Sequence, residues 1–436
     1  MIRISNFMMQ EQFVMQGQKE YIFPKGFYWG AATASHQVEG NNHNDWSEWE
    51  KSESRIEEIK SKGWDKKHGV DNYISGMGAD HYNRYKEDFI LAKELGHNAT
   101  RLSIEWSRIE PKEGKFNEKE IQHYKDVIKT LRKLGVEPFI TLWHWPIPLW
   151  MKEKGGWESS EMPKYFVNYA RKVVKALGKD VKFWITLNEP DVNSSISYLL
   201  GVWPPQKKSV VAWRRVFSNL TKAHIETYKE IKKINPKAQV GIAKNNTYFD
   251  IKGNSFINKL IKSIVQYFTN DIWLNKIKEY QDFIGLNHYF HSRVYYGVNK
   301  NENKIVSDMG FEIFPTSLYH TLIDLKKYNK PIYITENGLA DGKDRMRPWY
   351  IYTMIKEVHK AITDGVDVRG YLHWSLMDNF EWAEGYWPRF GLIEIDYKTL
   401  ERKPRKSAYL YREICIHNGI TSQVQQKFGN LIEKPN

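Results

Sequence analysis

The sequence predicts an α/β fold: a single (β/α)8 barrel of the TIM type, with its polar rim at the C-terminal ends of the strands. Three observations carry this. Eight short apolar or aromatic runs alternate with longer segments of helical period, the pattern of a parallel sheet with right-handed crossovers. Most of those runs stop on polar residues, as barrel strands do where chemistry sits. The chain has 436 residues, enough for one large barrel, and no linker rich in Gly, Pro or Ser divides it.

The runs are Phe27–Ala34, Ala99–Glu105, Pro138–His144, Phe183–Glu189, Gln239–Asn245, Phe283–Tyr289, Pro331–Glu336 and Val368–Ser375. Between the second and third, Ile121, Tyr124, Val127, Ile128 and Leu131 mark one helix face, and Gly135 ends it. The fifth unit is the least regular. Tyr248 to Asp282 carries helical signals without a clean boundary. The domain is expected to span 1–436, with 1–20 as an N-terminal extension and 423–436 as a polar tail that frays.

Composition narrows the function. Hydrophobic residues make up 41 % and charged residues 27 %, as in an ordinary globular protein. No apolar run reaches the ~18 residues of a membrane helix, so no membrane partner is expected. The first residues lack the apolar stretch of a secretory signal. With one cysteine, Cys415, no internal disulfide can form, and a cytoplasmic location is the simplest. The net charge of +13 raises nucleic acid as a partner. But Lys125, Lys129, Lys133, Lys222, Lys229, Lys232 and Lys233 lie on helical segments among acids, as a solvated surface does. Nucleic acid is therefore not expected.

The chain is organised around Ile185–Thr186–Leu187–Asn188–Glu189–Pro190. Strand-forming residues run up to an amide and a carboxylate, and Pro190 ends the ladder. Pro331 to Gly338 has the same grammar, ending Thr335–Glu336–Asn337–Gly338. A barrel sets both glutamates on one rim. Other strand ends add Gln37, Arg101, His144, Asn287, Tyr289, Trp374, Glu381 and Trp382. Carboxylates, amides, one arginine and flat aromatics suit a neutral polyol better than a phosphate. Arg101 could instead pair with Glu105, which alternation puts on its own strand face. Competing chemistries lack their motifs. There is no HExxH, no GxSxG and no complete glycine-rich phosphate loop; Gly76–Met77–Gly78 reads as a turn. Neither a metal nor a cofactor is expected.

At this point the chain resembles glycoside hydrolase family 1, the retaining β-glucosidases and β-galactosidases. The similarity runs from Phe23–Gly40 (FPKGFYWGAATASHQVEG) to Arg389–Tyr397 (RFGLIEIDY). Between them come RLSIEWSRIEP, TLWHWPIPLW, TLNEP, FIGLNHY, ITENG and HWSLMDNFEW, in that order. The HWPIPLW form is most similar to the archaeal-type branch. The resemblance implies Glu189 as general acid/base and Glu336 as nucleophile. It implies Asn188 on the sugar 2-hydroxyl, and Gln37, His144, Glu381 and Trp382 on the other hydroxyls, with Trp374 as the stacking floor. Arg101, Asn287 and Tyr289 are implied around the nucleophile, and a cis bond at Trp374–Ser375. Glu381 stands where the 6-phospho-sugar branch has Ser, which implies an uncharged glycon. Glu189 stands where plant thioglucosidases have Gln, which implies O-glycosides. Trp387–Pro388 and His288 depart from the usual pattern.

The expected partner is thus a small β-glycoside or oligosaccharide, with terminal β-glucosyl first and galactosyl or fucosyl next. A sugar-binding barrel without catalysis is the rival reading, and both glutamates being present speaks against it. The preferred glycon and the oligomeric state, a homo-oligomer included, are left open by the sequence.

Overall fold

The computed structural model describes residues 19–434. Its centre is a closed barrel of eight strands, all pairing in parallel. They are β1 (Tyr28–Ala32), β2 (Ala99–Ser103), β3 (Glu137–Trp143), β4 (Phe183–Asn188), β5 (Gln239–Asn245), β6 (Ile284–Asn287), β7 (Ile332–Asn337) and β8 (Val368–Trp374). Each of the eight runs holds one strand, in sequence order. β8 pairs with β1 and closes the ring.

Outside the ring lie the crossover helices. They include α1 (His81–Glu94), α2 (Glu118–Lys133), α3 (Met162–Leu177), α4 (Val210–Ile234), α5 (Phe256–Gln266), α6 (Thr316–Leu325) and α7 (Arg347–Thr363). α2 buries the five residues the periodicity picks out. Asn117 caps it, its side chain accepting from Lys119 N at 3.1 Å and Glu120 N at 3.4 Å. Gly135 follows at φ 66°, a left-handed turn that suits glycine. The lower barrel is filled by Phe139, Phe183, Ile185, Phe283, Tyr333 and their neighbours. Phe139 and Phe183 stack at 4.2 Å. This apolar plug leaves only the upper end of the barrel free for polar groups.

Three expectations need correction. The tail does not fray as drawn. Helix α8 (Lys406–Ile416) is followed by α9 (Ser422–Ile432), which buries Val424 and Phe428 four residues apart. Thr421 caps α9, its Oγ1 accepting from Val424 N at 3.2 Å. Of the extension 1–20, residues 1–18 lie outside the described residues; Glu20 Oε1 accepts from Ser422 N at 2.8 Å. Second, the irregular fifth unit holds an extra strand, Tyr248–Ile251, which pairs in parallel with His291–Val294 beyond the barrel rim. Third, Glu105 does not meet Arg101. β2 stops at Ser103, so alternation no longer applies at Glu105. Its carboxylate accepts from Ser35 Oγ (3.0 Å), Asn44 Nδ2 (3.1 Å) and Ser107 Oγ (2.7 Å).

Candidate active site

Both glutamates reach the same cavity because their strands break register. In β7, Tyr333 packs into the barrel interior. Strict alternation would turn Glu336 away from it. The ladder slips between Ile334 and Glu336 on one side and between Ile334 and Asn337 on the other. Such a bulge re-aims a side chain. Glu336 then faces the cavity, while Asn337 turns outward: its Nδ2 donates to His288 O at 2.6 Å, and its Oδ1 accepts from Tyr371 at 2.8 Å. β4 slips likewise between Ile185 and Asn188. Glu189 follows in the left-handed region, at φ 41° and ψ 58°, and Pro190 opens a short helix, Pro190–Ser194. A non-glycine residue there carries backbone strain. Gly338 is required for contact: a Cβ on it would stand 1.7 Å from the carbonyl oxygen of Trp374. The Trp374–Ser375 bond is cis.

The cavity holds about 480 Å³. His144, Asn188, Glu189, Tyr289, Glu336, Trp374, Glu381 and Trp382 all line it. Arg101 and Asn287 stand behind the wall and act on it through hydrogen bonds. Gln37 does not reach the wall either. Its Nε2 donates to Phe380 O at 2.7 Å, and its Oε1 is buried without a partner.

Arg101 is the brace. Its Nη1 contacts Glu336 Oε1, its Nη2 donates to Asn188 Oδ1 at 2.6 Å, and its Nε donates to Thr141 Oγ1 at 3.0 Å. Tyr289 donates to the other oxygen of Glu336 at 2.8 Å. Burial raises the pKa of Glu336, and Arg101 and Tyr289 oppose that rise by stabilising the anion. Glu189 has no such cation in contact. Burial first, then the charge of Glu336, then Asp191, hold its carboxyl well above the usual range. Its Oε1 accepts from Asn287 Nδ2 at 2.8 Å and Asn245 Nδ2 at 3.3 Å. With two N–H donors on Oε1, the proton of the neutral acid belongs on Oε2. The cation and the phenol on Glu336 thus favour its anion, while the surroundings of Glu189 favour its neutral form.

Asn287 stands beside the nucleophile as expected, and also reaches the second acid. The amide lies between the two acids, and its short bonds go to Glu189 and, at 3.2 Å, to Asn188 Oδ1. It is also among the groups that lower the pKa of Glu336. Asn188 Nδ2 donates to His144 Nε2 at 2.9 Å. Burial, helped by Arg101, pushes the His144 pKa well down, so the ring is neutral. The proton then sits on Nδ1, a buried donor without a partner in the protein. The His144 ring stacks 5.9 Å from Trp374 and 5.9 Å from Trp382. Glu381 Oε2 accepts from Asn379 Nδ2 at 3.0 Å, and burial pushes its pKa up to about 8. Free donors, free acceptors and flat rings thus converge on the same space as the two acids, which suits a polyhydroxylated ring.

Sequence reasoning missed three contributors. Asn245 ends the fifth run, and its position at a strand end was the available signal. Trp145 donates from Nε1 to Asn188 O at 3.0 Å. Lys244, wholly buried, donates to Asp191 Oδ2 and to Thr269 O, each at 2.8 Å, which ties the Glu189 turn to the fifth strand. A lysine in a strand gives no hint of that partner.

Comparison with known proteins agrees with the geometry. The model of glycosyl hydrolase family 1 matches residues 19–275 and 252–420. The 1,4-beta-D-glucan glucohydrolase of Thermotoga neapolitana is 34 % identical over 452 residues, covering 92 % of this chain and 99 % of that protein. A beta-galactosidase of Pyrococcus woesei is 29 % identical over 515 residues, covering 93 % and 99 %. The solved beta-glycosidase from Pyrococcus horikoshii superposes with a TM-score of 0.85 at 37 % identity, covering 94 % of this chain and 99 % of that one. This chain belongs to glycosyl hydrolase family 1 and is a glycoside hydrolase of the β-glucosidase/β-galactosidase kind.

Proposed function

We propose that the enzyme is a retaining exo-β-glycosidase that releases terminal β-D-glucosyl residues by double displacement. The observation that carries this is the opposed setting of the two acids: Glu336 against Arg101 and Tyr289, Glu189 against amides and a neighbouring anion. Ionised Glu336 attacks the anomeric carbon as the glycosidic C–O bond breaks. The proton on Glu189 Oε2 goes to the leaving oxygen. The product is a glycosyl ester on Glu336. With the charge of Glu336 spent in that ester, the main repulsion raising the Glu189 pKa is gone, so Glu189 becomes a competent base. It takes a proton from water as the oxygen attacks the anomeric carbon, and Glu336 leaves as a carboxylate.

Asn188, held from behind by Arg101, offers Nδ2 to the sugar 2-hydroxyl, a bond that strengthens as charge builds at the ring. His144 Nδ1 and Glu381 take further hydroxyls. Trp374 supplies a flat face. Gln37 belongs to this set only if its side chain leaves Phe380; its unpartnered Oε1 is the part available. An uncharged glycon is favoured, because Glu381 lines the cavity where the 6-phospho-sugar branch has Ser. Relatives carry both glucosidase and galactosidase names, so galactosides are the next substrates to compare with glucosides.

The test is direct. NMR of the first-formed sugar from 4-nitrophenyl β-glucoside is expected to show the β-anomer before mutarotation. An α-anomer first would reject double displacement. A 2-deoxy-2-fluoro glucoside is expected to leave its mass on the peptide carrying Glu336; labelling elsewhere would reject that residue.

A further inference from the structure

Helix α5 is amphipathic and faces the wrong way. Phe256, Ile257, Leu260 and Ile264 form one stripe, which continues through Phe268 in the following turn. Such a stripe ordinarily faces the core. Here Phe256 is 78 % exposed, Ile257 52 %, Leu260 50 %, Ile264 49 % and Phe268 57 %. The buried position of α5 is a polar one, Asn258. Its Nδ2 donates to Lys252 O at 3.0 Å, and its Oδ1 accepts from Tyr296 N at 2.7 Å. Those bonds fix the helix with its apolar side out. The exposed rings of Tyr295 and Tyr296 sit on the segment that Asn258 holds.

Lysines predominate on this face, and its flanking acids Asp250, Asp271 and Glu302 are paired with Arg293, Lys327 and Lys304, which leaves Asp324, hydrogen-bonded to Gln266, outside the ion pairs. From Ile251 to Asn270 the chain has Lys252, Lys259 and Lys262 and no acidic residue, and Tyr295 to Lys300 adds Lys300 and no acid. The face also meets the active cavity. Thr269, just past the stripe, lines that cavity, and so does the exposed Phe311.

We propose that this face is a docking site for an anionic lipid surface. α5 lies in the plane of the bilayer, with Phe256, Leu260 and Phe268 in the acyl boundary and the lysines at the headgroup phosphates. Apolar stripe, interfacial tyrosines and flanking lysines are the features of a helix that lies on a membrane. A second copy of the chain fits worse. A two-fold contact through this face would set its lysines against the same lysines, with most nearby acids already held in ion pairs. An anionic bilayer supplies the missing charge. Among the described residues no helix is long and apolar enough to cross a membrane. The absence of a spanning run, on which the expectation of no membrane partner rests, does not bear on a helix lying flat.

The test is flotation of the full-length enzyme with extruded vesicles, either phosphatidylcholine alone or phosphatidylcholine mixed with phosphatidylglycerol. Wild type is expected to float with the mixed vesicles and about tenfold less with the neutral ones. The triple variant Phe256→Ser/Leu260→Ser/Phe268→Ser is expected to lose about tenfold or more of the bound fraction, with unchanged melting and unchanged turnover of a water-soluble glycoside. Lys252→Glu/Lys259→Glu/Lys300→Glu is expected to lose the preference for the mixed vesicles. Wild type that stays unbound, or a serine variant that floats as well as wild type, overturns the proposal. A dimer that the serine variant dissociates, without flotation, also overturns it and assigns the face to a second copy. The readout is bound protein, so it does not depend on the glycosidase reading.

Discussion

Glu189 and Glu336 are the same residue type, on the same rim, in the same cavity, yet their surroundings divide them. Glu336 meets a guanidinium and a phenol, which oppose the effect of burial. Glu189 meets amides, sits on a left-handed backbone and feels two neighbouring acids, Glu336 and Asp191, which add to it. The difference teaches that burial alone does not set a role. Burial raises both; Arg101 and Tyr289 oppose that rise at Glu336, and the neighbouring acids add to it at Glu189.

The largest test of that contrast is Glu336→Gln. It removes the nucleophile, and turnover of 4-nitrophenyl β-glucoside is expected to fall by about a million-fold, as removal of a covalent nucleophile does. Residual activity close to wild type would collapse the comparison. Glu189→Gln is expected to act differently in kind. The loss is on the order of 10²- to 10⁴-fold for poor leaving groups and much less for good ones, because only the proton is missing. A substrate series of graded leaving groups measures this. Equal losses across the series would put the acid elsewhere.

The contrast also has a pH signature. Catalysis needs Glu336 ionised and Glu189 protonated, so kcat/KM is expected to be bell-shaped. The acid limb reports Glu336 and the alkaline limb Glu189, both displaced upward from an ordinary glutamate. Since the charge of Glu336 raises Glu189, neutralising it in Glu336→Gln is expected to lower the Glu189 pKa, read by carbon-13 NMR of labelled enzyme. No downward movement would mean that burial, and not its neighbour, sets Glu189.

Much of this was legible in the sequence, for a physical reason. Strands of a parallel barrel are buried on both faces, so runs such as Pro138–His144 stand out from the helices between them. The two Glu-bearing strand ends were legible too. Their direction was not. A bulge has no fixed sequence mark, and strict alternation from Tyr333 would have turned Glu336 outward. Nor was the bond from Lys244 to Asp191, since it joins two strand ends 53 residues apart. Tail and lipid face share one lesson. Val424 and Phe428 carried helical period in a polar segment, and α5 carried it in an exposed one. Period announces a helix, and only the packing tells which way it faces.

The finest test separates the two amides on Glu189. Asn287 holds Oε1 at 2.8 Å and is itself fixed by Thr335, whose Oγ1 donates to Asn287 Oδ1 at 2.7 Å. Asn245 reaches the same oxygen at 3.3 Å. A donor to the ionised form holds a carboxyl's pKa down, so removing one lets it rise. Asn245→Ala is expected to move the alkaline limb slightly upward and to cost only about fivefold in kcat/KM, the worth of one neutral hydrogen bond. Asn287→Ala is expected to cost more, because it also frees Asn188 and unseats Thr335. If the two variants lose equally, or Asn245→Ala moves the alkaline limb downward, the amides do not tune Glu189, and its contrast with Glu336 rests on Arg101, Tyr289 and Asp191.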